Sequence, residues 1–116
     1  MTSENAVALL DRTSAIIKRG WTQGVYARNE NGDVVGPLDR TACKWCLRGA
    51  LRRAAEDSPL EITSFTALKA RMKADRALEA ELNQQSFSSW NDEEGRTQED
   101  VIELLEQAKS RVKNLS

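Results

Sequence analysis

The sequence predicts a mainly α-helical (α+β) fold: a compact bundle of about four helices with one β-hairpin between helices 1 and 2. Three observations carry this. Apolar residues recur at helical spacing in four segments, most of them opened by a residue suited to capping. One Gly- and Asn-containing stretch interrupts them, with valines and a tyrosine on either side of Asn31-Gly32. The 116 residues, 40% hydrophobic and 30% charged, suit one domain over 1–116 with its own core and not a disordered chain.

The first helix is expected from about Ser3 to Arg19. Ser3 caps it and Glu4 favours its positive end, while Val7, Leu10, Ser14 and Ile17 share one face. Lys18 and Arg19 suit the negative end, and Gly20 is expected to close the helix in the left-handed conformation. The hairpin follows, with Asn31-Gly32 as a tight turn taking positive φ at both residues. Two strands are marginal alone, so the hairpin must lie on the helices as a flap over the core. A second helix is expected from an Asp39 cap to about Ala55, with Trp45 as a core knob. Ser58-Pro59 breaks the pattern. A third helix is expected from Thr63 or Ser64 to Asn83, with Phe65, Leu68, Met72, Leu78 and Leu82 facing inward. That spacing puts Asp75 on the core side, which predicts a bend, or two shorter helices meeting, near Lys73–Asp75. Ser86 caps a single turn leading to Trp90. The last helix starts at Thr97, with Asp100 in a capping-box arrangement. Val101, Leu104, Leu105, Ala108, Val112 and Leu115 form its buried stripe.

Composition narrows the chemistry. The chain has no histidine, so the commonest general base and metal ligand is missing. Net charge is −1, with nine Lys/Arg against five Asp/Glu in residues 1–53 and eight against thirteen in 54–116. The reading favoured is that this asymmetry draws the halves together. No apolar run approaches the roughly 18 residues of a membrane span, and the start has no signal-peptide pattern, so a cytoplasmic location is expected.

Three constellations invite a functional reading. Cys43-Lys44-Trp45-Cys46 has redox or metal spacing, but no further Cys or His completes a zinc site. Two small cysteines on a core helix is the preferred reading, so neither a metal nor a cofactor is expected. Arg40, Lys44, Arg48 and Arg52 recur every fourth residue and would make a basic face on the second helix, able to grip phosphates but poor in interleaved aromatics. The run Trp90-Asn91-Asp92-Glu93-Glu94-Gly95-Arg96-Thr97 is the densest in residues that need a specific local structure. Trp90, Asn91, Asp92 and Arg96 there could form a small-ligand or enzymatic site. The structural reading is preferred: Trp90 plugs the bundle, Asn91 or Asp92 folds onto the loop backbone, Gly95 reverses the chain and Arg96 reaches a loop carbonyl or Asp92.

Trp45-Cys46-Leu47-Arg48-Gly49-Ala50-Leu51, then Trp90-Asn91-Asp92-Glu93-Glu94-Gly95-Arg96-Thr97 and the final helix, resemble a family of small bacterial and phage proteins of unknown function. Its pattern is a W-C-x-x-G-A-L helix followed by a W-N-D-x-x-G-R-T loop, and an opening helix ending near Gly20-Trp21 also fits. The resemblance implies a standalone domain and no particular activity. The function expected is therefore a non-enzymatic interaction or regulatory protein with a protein partner, related to phage or mobile elements. A ligand-binding or enzymatic loop and nucleic-acid binding are the alternatives.

Overall fold

The computed structural model describes residues 2–59 and 64–114. Helix α1 spans Thr2–Arg19, and the strands are β1 (Ala27–Arg28), β2 (Val34–Val35) and β3 (Lys44–Trp45). Helices α2 (Leu47–Glu56), α3 (Phe65–Glu81), α4 (Phe87–Asn91) and α5 (Gln98–Asn114) follow. The fold is mainly helical, with five helices among the described residues and a small three-stranded antiparallel sheet, order β2-β1-β3.

Helix α1 is the axis. It packs against α2, α3 and α5, and α3 also packs on α5. Its buried face carries Leu9, Leu10, Ile16 and Ile17 with small Ala6 between them. Helix α5 answers with Val101, Leu104, Leu105, Ala108 and Val112, the stripe its spacing predicts; Leu115 and Thr63 lie outside the described residues. Its start is a capping box: Thr97 N–H donates to Asp100 Oδ2 at 3.0 Å and Asp100 N–H to Thr97 Oγ1 at 3.1 Å. Short α4 is capped by Ser86, as expected. Apolar packing joins the two halves. Lys109–Asp11, the ion pair that ties α5 to α1 among the described residues, runs from the acidic half to the basic half, against the net asymmetry.

The hairpin forms, with Ala27 opposite Val35 and Arg28 opposite Val34. Its turn is wider than predicted. Gly32 N–H bonds Asn29 O at 3.0 Å and Asn29 N–H bonds Asp33 O at 3.0 Å. Gly32 alone is left-handed there, at φ 82°, and Asn31 is not. Asn29 Oδ1 accepts from the N–H groups of Asn31 and Asp33, which stabilises a turn opening at Asn29 and a bulge at Gly32.

The second helix starts seven residues later than predicted, capped by Cys46 and not by Asp39. Asp39 does not cap it; its carboxylate accepts from Thr41 N and Thr41 Oγ1 in an Asx turn, and those bonds hold its pKa below the usual carboxylate range. Residues 44–45 instead add strand β3 to β1, and Cys46 is the cap. Sequence periodicity did not separate strand from helix here because the buried Trp45 fits either pattern.

Helix α3 corrects the predicted face. Its inner residues are Ala70, Ala74, Ala77 and Leu78, while Phe65, Leu68 and Met72 are 70%, 51% and 43% exposed. The alanine stripe lets α3 approach α1 and α5, whose own leucines and isoleucines fill the space. Two shorter helices do not meet at Lys73–Asp75, because α3 runs unbroken from Phe65 to Glu81. Asp75 is half-buried, and burial raises its pKa against the opposing pull of Arg71 and Arg48.

Candidate functional site

The predicted motifs meet at one place, and its centre is Asn91 and not Trp90. Asn91 is completely buried, whereas Trp90 is only partly so and packs on the core's edge. Asn91 Oδ1 accepts two hydrogen bonds, from Trp21 Nε1 at 2.8 Å and from the Leu47 backbone N–H at 3.0 Å. Its Nδ2 donates to Thr22 O at 3.1 Å and to Asp92 Oδ1 at 3.0 Å. An amide has two donor hydrogens and two acceptor lone pairs, and all four are used. The partners come from the segment after α1, the start of α2 and the residue following α4. One side chain thus ties together three parts of the chain that are far apart in sequence.

Neighbours reinforce the junction. Gln23 Nε2 donates to Asn91 O and Glu93 O, and Gly24 N–H donates to Asp92 Oδ1 at 2.9 Å. The Asx side chains therefore reach back across the fold and do not simply fold onto their own loop. Gly95 is left-handed, at φ 86°, and turns the chain toward α5. Arg96 Nε donates to Trp90 O at 2.9 Å, its guanidinium carbon lies 4.0 Å from the Trp90 ring centroid, and it also pairs with Glu93. The expected loop-carbonyl contact of Arg96 is present, with a cation–π contact added.

The Trp45-Cys46 segment fits the junction through close backbone approach. Trp45 is fully buried, donates from Nε1 to Pro37 O at 3.1 Å, and has Arg19 and Arg53 over its ring. Cys46 N–H bonds Tyr26 O, and that same carbonyl oxygen lies 2.2 Å from where a Cβ on Gly49 would stand. Gly20 meets the same limit: Cys43 O is 2.1 Å from its would-be Cβ. Gly20 is required by that contact and not by a left-handed helix end, since its φ is not positive.

The cysteines are not two residues of one helix. Cys43 precedes β3 and Cys46 caps α2, with its Sγ accepting from Gly49 N–H at 3.3 Å. Both are free. Burial pushes the Cys46 thiol pKa up, away from a reactive thiolate. An extended segment rises about 3.3 Å per residue, so these Cα atoms stand roughly 10 Å apart, beyond the ~7 Å limit for a disulfide.

The basic residues do not form one helical face. Arg40 lies in the turn after Asp39 and Lys44 on β3; only Arg48 and Arg52 belong to α2. Arg48 stacks over the Phe87 ring at 5.1 Å. The regular four-residue spacing is physically meaningful only on a continuous helix, and β3 interrupts it.

Two depressions bear on binding. A cleft of about 390 Å³ is walled by Tyr26, Val34, Cys46, Ser88 and Asp92. Of the four loop residues singled out in the sequence, it reaches only Asp92. A larger groove of about 620 Å³ runs between α3 and α5 beside the start of α1. Phe65, Met72, Ala77 and Val112 supply apolar wall. Lys69, Lys73, Arg76 and Arg111 supply its charge, and none of its ten lining residues is acidic. Sequence reasoning missed this groove because it assigned Phe65 and Met72 to the core. Among the described residues, no three Cys, Asp or Glu side chains gather as metal ligands.

Residues 1–111 match the model of DUF6197, a family of unknown function. The chain belongs to that family. No curated protein and no solved structure matches it significantly. No helix among the described residues is long and apolar enough to cross a membrane.

Proposed function

We propose that this DUF6197 member is a non-enzymatic protein-interaction module, acting as one domain, which docks a partner in the α3–α5 groove. The observation that carries this is the exposure of Phe65, Leu68 and Met72 along one side of α3, beside a groove whose wall combines apolar side chains with the alkyl stems of four cations. Large apolar side chains left in water at helical spacing, next to a concavity, mark a binding surface more than a solvated face. The Trp90–Thr97 loop, by contrast, serves the fold. Its amide is fully engaged, its arginine is held by Trp90 and Glu93, and the Trp90 ring is stacked by that arginine. A cytoplasmic setting is part of this reading, supported by the lack, among the described residues, of any helix long and apolar enough to cross a membrane.

The test is site-specific photo-cross-linking in the cells that make the protein. A photoreactive residue replaces Met72 in one variant and exposed Glu94 in another. The expected result is a discrete protein adduct from position 72 that disappears when Phe65→Ser and Leu68→Ser are added. Equal adduct patterns from the two positions, or none from position 72, would remove the proposal.

A further inference from the structure

Resting on the reading of the α3–α5 groove as a docking face, we infer that its occupant is an acidic amphipathic helix of a partner protein. The sign of the partner's charge follows from the wall. Four of the ten lining residues are cations and none is an acid. Glu81 partly neutralises Arg111 through a contact of 2.6 Å. Lys73 Nζ is held 2.6 Å from Ser3 Oγ, a neutral partner, so its charge stays uncompensated. Lys69 lies over the Phe65 ring, 4.5 Å from its centroid, and Arg76 forms no ion pair among the described residues. Three unneutralised cations therefore border an apolar strip. A basic partner would bring like charges together as it buried that strip, and an acidic one relieves them.

The shape favours a helix. The groove's α3 wall extends from Phe65 to Ala80, which at 1.5 Å per residue is about 22 Å, the length of a four-turn helix. Its apolar side is a stripe along α3, and a partner helix with apolar residues at positions i, i+4 and i+7 presents a matching stripe with its acids to either side. The groove is also not a closed cavity, which suits a rod laid in it.

The decisive experiment uses two fluorescein-labelled synthetic helices of about 16 residues, long enough to span the groove. Both carry leucines along one face; one has Glu and the other Lys at every remaining position. Anisotropy titrations are run with the intact protein, with Lys69→Glu/Arg76→Glu, and with Arg40→Glu as a remote control. The Glu helix is expected to bind about tenfold or more tighter than the Lys helix, and added salt is expected to weaken it. The double variant is expected to lose that preference while Arg40→Glu keeps it. Far-UV circular dichroism checks that the variants, all at surface positions, remain folded.

Equal binding of the two helices, or tighter binding of the Lys helix, overturns the acidic occupant but leaves the groove as a docking face. Binding to phosphatidylglycerol vesicles with no binding of either helix also overturns it, and assigns the groove to a lipid surface. Failure of the cross-linking experiment at position 72 would instead remove the docking face itself.

Discussion

The junction around Asn91 and the groove beside α3 treat the boundary of the core in opposite ways. At the junction a polar side chain goes fully inside, and four hydrogen bonds offset its desolvation. Beside α3, large apolar side chains stay outside, and alanines take the inner positions. Each arrangement costs stability that a plain bundle would not lose. At the junction the return is a unique arrangement of distant segments, since those bonds are satisfied in only one register. At the groove no such return is seen among the described residues, and the proposed docking face rests on that contrast.

The comparison can be broken most severely at the junction. Asn91→Ala orphans the Trp21 indole N–H, the Leu47 N–H and the Thr22 carbonyl, each worth about 1–3 kcal/mol when buried and unpaired. With some refilling by water, a loss of about 3–4 kcal/mol is expected in urea unfolding. A loss below about 1 kcal/mol would mean that the junction does not fasten the fold. Gly49→Ala comes next. Its new Cβ would stand 2.2 Å from Tyr26 O, a backbone atom that cannot rotate away, so the sheet and α2 must separate. A loss of about 2–3 kcal/mol is expected.

Smaller changes sharpen the contrast. Ser14 Oγ is buried in α1 without a hydrogen-bond partner among the described residues. Ser14→Ala removes that orphan and improves helix propensity, and should raise stability by about 1 kcal/mol. Asp75→Asn should also stabilise, but only over part of the pH range. Burial raises the folded-state pKa of Asp75 above its unfolded value, so the ionised carboxylate penalises the folded state above that raised pKa. The penalty fades as pH falls through it and is gone below the unfolded value. The advantage of the asparagine in thermal unfolding should follow that course, and an advantage that grew toward acid pH would contradict it. At the groove, Phe65→Ser with Met72→Ser should change stability by less than about 1 kcal/mol, because Phe65 is 70% and Met72 43% exposed and neither belongs to the buried core. A clear loss would show that these residues support the core after all.

Much of this was legible from local chemistry. The caps at Ser86 and Thr97 and the stripe of α5 follow from hydrogen-bonding groups and spacing within a few residues. The importance of the Trp90–Thr97 run was also legible, because so many residues with special local demands stand together. The identity of its keystone was not. Burial value points to Trp90, but Asn91 has the atoms that match groups arriving from residues 21, 22 and 47. Likewise, large side chains outweigh alanines in any hydrophobic count, so the inner face of α3 was read from Phe65, Leu68 and Met72.

The sequence by itself determined the helical class, most helix boundaries, the presence of the hairpin and the segments that matter, because propensity, capping and periodicity act over one or two turns. Only the tertiary structure decided that residues 44–45 join a sheet, that Gly20 and Gly49 answer backbone contacts, that Asn91 is the tie, and that α3 turns its alanines inward. These are choices of partner. A hydrogen bond or a close approach across dozens of residues depends on where the other element arrives, and no local pattern records that.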